Sequence, residues 1–464
     1  MQSSPRQPRP RGNGSWLRWF FVLCACGLAP REVRATPQED AAKAFIAHLV
    51  ALEFTAATTT FDTQMQAALP ADKLASVWQQ VATQAGAFGR VLAVRTETKG
   101  EYAIVIATCE FANAALDIKV VYDSKALVAG LFFSPVQAAD AAAPEWKAPA
   151  YVDVARFQEE KITIESGTWK LPGVLARPKG AGPFPAVVLV HGSGPQDEDE
   201  TVGAIKPFRD LAQGMASRDI VTLRYVKRTQ LMAQQENVSI AGLTVQQETI
   251  DDACAAVALL ARTPGVDPAR IWIVGHSLGG YLAPRIAKQE PRVAGIACLA
   301  GNARPMEDLI VEQLRFLANG DGAVSDAEKA QIAAAETMRT QIRSPELTAA
   351  SQVTVLGSPL PGSYWLDLRG YEPARLAAQL RIPVRVLQGG RDYQVTRADF
   401  DLWKQALTGR ANAACTWYPE LNHLFVAGQG ATGPAEYAQP GNVDARVIED
   451  LAAAIATSGR PKPR

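Results

Sequence analysis

Residues 271–282, with the sequence I-W-I-V-G-H-S-L-G-G-Y-L, constrain the fold of this chain more than any other stretch. Four apolar residues at the start are typical of a buried strand, the next five match G-x-S-x-G, and the rest can continue as a helix. A serine at such a junction occupies strained backbone, and the flanking glycines avoid clashes between strand and helix. We therefore predict that Ser277 lies on a sharp turn above a sheet edge.

Beyond residue 150, short apolar strands alternate with stretches of helical periodicity. This alternation indicates a mostly parallel sheet with helices on both faces, in which ligands bind beyond the carboxyl ends of the strands. The predicted strands are 186–190, 220–225, 271–274, 293–299, 384–388 and 416–418, after an antiparallel pair at 161–166 and 171–177. The predicted helices include 208–217, 246–261 and 400–407.

Residues 304–374 interrupt that alternation and are mostly helical in pattern, with predicted helices at 307–317 and 326–343. An insertion at this point predicts a cap that screens the site from water. Tyr364 and Trp365 are candidates to line a substrate pocket under it, and ordinary packing under the cap explains them equally well.

The first third of the chain predicts a separate small α+β domain at residues 38–135. Helices are predicted at 40–69 and 71–85, followed by four strands at 91–96, 102–111, 116–122 and 126–133. Its acidic residues Asp62, Glu97 and Glu110 are scattered, so we predict a binding or assembly role. Residues 136–150 are rich in Ala and Pro and are the predicted linker to a larger domain at 151–464.

The first 35 residues carry six Arg and one Glu, and their apolar run at 19–29 is too short to span a bilayer. With Val33-Arg34-Ala35 as a cleavage site, this pattern predicts a signal peptide at 1–35 and an exported, periplasmic or secreted protein. Leu23-Cys24-Ala25-Cys26 also resembles a lipobox. Membrane association is expected only if Cys26 is lipidated or the leader stays uncleaved.

Composition excludes several classes of function. Apolar residues make up 48% and charged residues 20% of the chain, which is typical of a globular protein. The sequence has no basic patch with interleaved aromatic residues, the pattern typical of nucleic-acid binding, so we expect no nucleic-acid partner. The four cysteines beyond the leader are widely spaced, so we expect no metal site, no cofactor and unpaired core thiols; they are Cys109, Cys254, Cys298 and Cys415.

Serine needs a neighbouring base to act as a nucleophile, and the chain has only four histidines. His48 lies in the other domain, His276 should point away from its neighbour Ser277, and His191 should brace the loop after residues 186–190. His423, on a loop after the last strand, is therefore the predicted base.

The imidazolium that forms on the base needs an anion to orient and stabilise it. Asp392 follows the strand at 384–388 and is the predicted acid. Asp399 and Asp401 are rivals, better explained by the dipole of the helix that they begin.

An oxyanion needs two donors, for which we predict the N–H groups of Leu278 and Ser193. Gly192 lets the second loop approach a ligand closely, and Gly192 and His276 are candidates to contact substrate. The acidic run at residues 197–200 is predicted to be a solvated loop.

The chain order Ser277, Asp392, His423 is that of α/β-hydrolases. The segments H-G-S-G-P-Q-D, L-R-Y-V-K-R, G-H-S-L-G-G-Y, L-Q-G-G-R-D-Y-Q-V and L-N-H-L-F resemble bacterial hydrolases related to serine aminopeptidases and dienelactone hydrolases. Many relatives have Asp where this chain has Val226. Dienelactone hydrolases proper use Cys as nucleophile, which disfavours their substrate here.

A second resemblance concerns the first domain. The segment F-D-T-Q-M-Q-A-A-L-P and residues 78–88 resemble an N-terminal domain of unknown function that precedes some bacterial α/β-hydrolases. That resemblance implies a cone-shaped fold like that of nuclear-transport-factor-like domains.

Together these features predict an exported serine hydrolase with an α/β-hydrolase fold, most simply a carboxylesterase that acts on a small-molecule ester or acyl substrate through an acyl-enzyme. A thioesterase or a serine aminopeptidase-like peptidase would use the same residues. A binding or scaffold protein with an inactive hydrolase fold is the non-enzymatic alternative, and the intact set of candidate residues argues against it.

Overall fold

The computed structural model describes residues 36–100, 102–112, 114–135, 146–235, 238–320 and 322–457. The predicted leader at 1–35, including Cys26, lies outside the described residues, and so do residues 136–145 of the predicted linker. The chain divides after Gln137 into two compact units. In the described residues, no helix combines the length and the apolar character needed to cross a membrane.

The first unit has four helices packed on a four-stranded antiparallel sheet. The helices are α1 (Pro37–Val50), α2 (Phe54–Thr58), α3 (Thr63–Ala68) and α4 (Ala71–Ala85). The strands are β1 (Phe88–Lys99), β2 (Tyr102–Phe111), β3 (Ala115–Tyr122) and β4 (Val128–Pro135), paired in that order. The predicted helix at 71–85 and the four-stranded meander are confirmed.

The prediction of one long helix at 40–69 is wrong, because the chain turns twice in that interval. Leu52 adopts the left-handed region at φ 61°, which ends α1 and which few non-glycine residues tolerate in a helix. α2 ends in the first of three consecutive β-branched threonines, residues 58–60. Asp62 then begins α3 as its N-cap, accepting a hydrogen bond from the Met65 N–H at 2.6 Å.

The second unit is built on an eight-stranded, mostly parallel sheet. The strands are β5 (Phe157–Ser166), β6 (Trp169–Pro178), β7 (Phe184–Val190), β8 (Val221–Tyr225), β9 (Val266–His276), β10 (Val293–Leu299), β13 (Val384–Gly389) and β14 (Ala413–Tyr418). Their order across the sheet is β14-β13-β10-β9-β7-β8-β6-β5, and only β5 and β6 pair in antiparallel fashion with their neighbours.

Helices cover both faces of this sheet, which confirms the predicted α/β-hydrolase fold class. They are α5 (Pro207–Ala216), α6 (Arg228–Gln234), α7 (Asp251–Ala261) after a π-helical turn at Gln246–Ile250, α8 (Leu278–Gln289), α12 (Pro373–Gln379), α13 (Arg397–Ala406) and α14 (Ala445–Thr457).

Most positions on the central strands are apolar because both faces of these strands are buried. In β7, Val188 and Val190 belong to the core on one face, while Val187 and Leu189 belong to the core on the other. Successive side chains along the strand therefore point alternately into the two cores. This explains why residues 271–274 read as an uninterrupted apolar run.

The cap between β10 and α12 contains helices α9 (Met306–Ala318), α10 (Asp326–Arg343) and α11 (Gly362–Leu368). A capping box between Ser325 and Glu328 begins α10. The sequence did not predict a hairpin here, but β11 (Gln352–Val355) pairs with β12 (Ser358–Pro361). Leu356 and Gly357 form its turn, both at positive φ.

The sheet order places the candidate residues at one edge. β8 lies on one side of β7 and β9 on the other, so the loops after β7 and β9 diverge from a common crevice. β10, β13 and β14 follow β9 in parallel register, and their carboxyl ends reach the same edge.

Candidate active site

Ser277 occupies the predicted turn between β9 and α8, with φ 52° and ψ −115°. Its N–H donates to the Leu299 carbonyl at 2.8 Å, which ties the turn to the neighbouring strand. A Cβ at Gly275 would lie 2.2 Å from the Gly279 carbonyl oxygen, and one at Gly279 would lie 2.0 Å from that of Val190. Only glycine fits at these two positions, so the G-x-S-x-G spacing has a steric cause.

His423 and Asp392 form a buried pair beside this turn. The His423 Nδ1 lies 2.7 Å from the Asp392 Oδ2, and both side chains are at most 5% exposed. The other carboxylate oxygen of Asp392 accepts the N–H groups of Gln394 and Val395 at 2.8 and 2.9 Å. The Gln388 amide donates to Oδ2 at 2.9 Å. The carboxylate is thus fixed from four directions with one oxygen facing the imidazole.

The rival carboxylates have other partners. Asp399 is fully buried, accepts the N–H groups of Ala303 and Arg304, and pairs with the Arg304 guanidinium at 2.6 Å. Asp401 pairs with Arg397 on the surface of α13. Of the three candidates, only Asp392 contacts His423.

His276, adjacent to Ser277, contacts acceptors at both ring nitrogens. Its Nε2 donates to the His423 carbonyl at 2.9 Å, and its Nδ1 lies 3.0 Å from the Glu200 Oε2, at an angle outside that of a hydrogen bond. Burial opposes a charge on this ring, but the Glu200 carboxylate outweighs burial and the pKa of His276 is raised. Burial likewise opposes a charge on Glu200, yet its pKa is lowered because the His276 ring faces it. Both shifts favour the imidazolium–carboxylate form of the pair.

The structure contradicts the prediction that residues 197–200 are a solvated loop. Asp199 is 6% and Glu200 is 1% exposed. Asp199 pairs with Arg224 at 2.8 Å and with Lys206 at 3.1 Å. Asp197 and Glu198 are half-buried, whereas Asp199 and Glu200 are buried against partners elsewhere in the chain, which local composition does not reveal.

The loop after β7 lies against the serine turn. A Cβ at Gly192 would lie 3.2 Å from the Ser277 Cβ. Ser193 is exposed, and no acceptor for its N–H occurs in the described part of the chain. Leu278 is the first residue of α8, so its N–H has no intrahelical acceptor. The two predicted oxyanion donors thus flank Ser277; their role stays a prediction.

His191 braces this loop. Its Nε2 donates to the Asp197 carbonyl at 3.0 Å, and its ring packs against Phe208 and Tyr225 at centroid distances of 4.9 and 5.2 Å. Complete burial lowers the pKa of His191 to about 4, so the ring is neutral at pH 7. A neutral ring bonded to a carbonyl is suited to a supporting role.

Tyr364 and Trp365 are core residues on α11, 5% and 1% exposed. The Tyr364 hydroxyl donates to the Glu248 Oε2 at 2.9 Å. Their predicted place in a substrate pocket is not tested by these contacts.

The four cysteines are unpaired, and Cys109 and Cys298 are buried. The described residues contain no group of three or more His, Cys, Asp or Glu side chains arranged to hold a metal ion.

Sequence reasoning missed three charged residues behind the loop: Glu200, Lys227 and Glu248. Lys227 is 2% exposed and donates from Nζ to the Gly192 carbonyl at 2.8 Å. Its position directly after β8, at the ligand-binding edge of the sheet, was the available signal. Glu200 and Glu248 gave no comparable signal because their partners lie far along the chain.

Each of the two units matches its own family model. A family model described as "Protein of unknown function (DUF3887)" matches residues 42–131, and one described as "Prolyl oligopeptidase family" matches residues 230–304. Esterase EstD of Thermotoga maritima is 38% identical over 408 residues, which cover 88% of this chain and 93% of EstD. The chain belongs to the EstD family. It is a carboxylesterase-like serine hydrolase, as predicted.

Solved structures similar to this EstD-family chain are more distant in sequence. Est1E from Butyrivibrio proteoclasticus is 14% identical, covers 64% of this chain and 99% of its own, and has a TM-score of 0.43. A puromycin-hydrolyzing peptidase of Mycobacterium tuberculosis is 16% identical, covers 80% of this chain and 48% of its own, and has a TM-score of 0.42. The fold assignment of the EstD-family chain rests on its sheet order.

Proposed function

We propose that this chain is a carboxylesterase that forms an acyl-enzyme on Ser277. The His423–Asp392 contact of 2.7 Å, held beside the strained serine turn, carries the proposal. Asp392 keeps the proton on Nδ1 of His423, so that Nε2 is free to accept one. A bare carboxylate in a buried site would be costly without such a partner.

In the first half-reaction, Ser277 Oγ bonds to the ester carbonyl carbon as its proton passes to His423 Nε2. The negative charge on the carbonyl oxygen is stabilised by the N–H groups of Leu278 and Ser193. The carbon–oxygen bond to the alcohol then breaks, and His423 returns the proton to the leaving oxygen. Water repeats the sequence on the acyl-enzyme and releases the acid.

A peptidase is the second candidate, because the prolyl oligopeptidase family model matches residues 230–304, which include the serine turn. Esters are the better proposal since 93% of the length of EstD, a protein named as an esterase, aligns with this chain.

A panel of esters, thioesters and aminoacyl amides with matched acyl chains distinguishes these activities. We expect kcat/KM for short-chain esters to exceed that for amides, because an amine leaves less readily than an alcohol. Comparable values for amides would favour the peptidase, and no turnover in any class would contradict a hydrolase.

We also propose that the enzyme is exported. The support is the sequence of residues 1–35, with its basic start, apolar run and small residues near Ala35. Mass spectrometry of the protein from expressing cells should show a mature N-terminus at or near Thr36. A chain that begins at Cys26 with an added lipid would indicate a lipoprotein instead, and an intact leader would contradict cleavage.

A further inference from the structure

Two buried charged side chains hold the backbone of Gly192, one on each side of its Cα. Glu200 Oε1 accepts the Gly192 N–H at 2.6 Å, and Lys227 Nζ donates to the Gly192 carbonyl at 2.8 Å. Each has a buried counter-charge: His276 for Glu200 at 3.0 Å and Glu248 for Lys227 at 3.1 Å. We call these four side chains the Gly192 network.

The contact to Lys227 sets the direction of the next N–H. In a trans peptide the carbonyl and the following N–H point in opposite directions. Because Lys227 holds the Gly192 carbonyl, the Ser193 N–H is directed away from Lys227. Gly192 itself lies against Ser277, where a Cβ would be 3.2 Å from the serine Cβ.

The contact to Glu200 connects two loops. The carboxylate holds the Gly192 N–H with one oxygen and faces His276 Nδ1 with the other, while His276 Nε2 donates to the His423 carbonyl. One chain of contacts therefore runs from the loop after β7, past the serine turn, to the loop that carries His423.

Stability alone does not account for these charges. Buried ion pairs often contribute no more to stability than well-packed apolar side chains of the same size, since desolvation offsets their attraction. Glu248 is also fixed by the Tyr364 hydroxyl at 2.9 Å and the Thr229 hydroxyl at 3.1 Å, so the anion opposite Lys227 is held in place. An orienting role accounts for buried charged side chains that bond both the N–H and the carbonyl of Gly192, behind a loop in which the Ser193 N–H has no acceptor among the described residues.

We propose that Lys227 and Glu200 are positioning residues that orient the Ser193 N–H toward the oxyanion, acting through the backbone of Gly192. The proposal rests on the proposed acyl-enzyme mechanism. Neither side chain touches substrate, and the Gly192 network makes the transition state rather than the bound ester the better ligand.

The test is Lys227→Met in the full-length protein, which keeps the unbranched apolar stem and removes the terminal ammonium donor. We expect kcat for p-nitrophenyl acetate to fall about 10- to 100-fold, since loss of a whole oxyanion donor costs about 10²- to 10³-fold. KM should change less than about threefold. The affinity for a trifluoromethyl ketone, whose adduct carries the oxyanion, should weaken by the same factor as kcat/KM.

Lys206→Met is the matched control. Lys206 pairs with Asp199 at 3.1 Å in the same part of the chain and does not contact Gly192. We expect its kcat and ketone affinity to stay within about twofold of the parent.

Glu200→Asp is the second variant, and it decides alone if Lys227→Met does not fold. It keeps the charge but is one methylene too short to contact both Gly192 and His276, and kcat should fall about tenfold. Parent-like kcat in the folded variants would overturn the proposal, as would a loss that appears in KM without a change in ketone affinity. Ser277→Ala, run in parallel, tests the mechanism separately. Loss of activity in Ser277→Ala together with parent-like Lys227→Met and Glu200→Asp would overturn this proposal alone, whereas activity retained in Ser277→Ala would overturn the mechanism on which it rests.

Discussion

Replacing Ser277 by alanine should reduce kcat/KM for a chromogenic short-chain ester by about 10⁵- to 10⁶-fold, because no other group can form the acyl-enzyme. Stability should hardly change. The residue already has a Cβ at φ 52°, so alanine adds no backbone strain, and the partly exposed hydroxyl makes no hydrogen bond within the described residues. Steady-state kinetics, with thermal unfolding as the folding check, measures both quantities.

Ser358→Ala is the matched control, since Ser358 is exposed on the cap hairpin and distant in sequence from every candidate catalytic residue. Its kcat/KM should equal that of the parent. Turnover retained in Ser277→Ala would remove the nucleophile assignment.

Asp392→Asn should lower kcat by about 10⁴-fold with little change in KM. The Oδ1 position accepts the backbone N–H groups of Gln394 and Val395, whereas the Oδ2 position accepts only the Gln388 amide besides facing His423. The new amide nitrogen therefore loses fewer hydrogen bonds at the Oδ2 position, where it donates to His423 Nδ1. The ring proton then moves to Nε2, which can no longer accept the serine proton.

Asp399→Asn provides the comparison for this prediction, because it changes another fully buried carboxylate that pairs with Arg304 and not with His423. It should lower the unfolding temperature while kcat falls less than about fivefold. If Asp399→Asn loses more activity than Asp392→Asn, the assignment of the acid is wrong.

Features of the fold that have a local sequence pattern could be predicted from the sequence. The alternation of apolar strands and helices predicted the parallel sheet. The G-x-S-x-G spacing predicted the serine turn, at whose glycines an added Cβ would lie about 2 Å from backbone oxygen atoms. Both signals are local, and each has one dominant physical cause.

Features that depend on distant partners could not be predicted. Glu200 looked solvated because it ends an acidic run, and its burial requires His276 and the Gly192 N–H. The end of the helix before Leu52 depends on a left-handed backbone conformation at that residue, which a leucine does not predict. A pattern of apolar residues predicts which edge of the sheet carries the site. It does not predict the buried charged residues that support that site.

Reaction with a fluorophosphonate, followed by peptide mass spectrometry, tests the assignment of Ser277 as the nucleophile. We expect one adduct, on Ser277, together with loss of ester hydrolysis in proportion to labelling and no labelling of Ser277→Ala. An adduct on another serine, or an active enzyme that the reagent does not modify, would contradict this assignment.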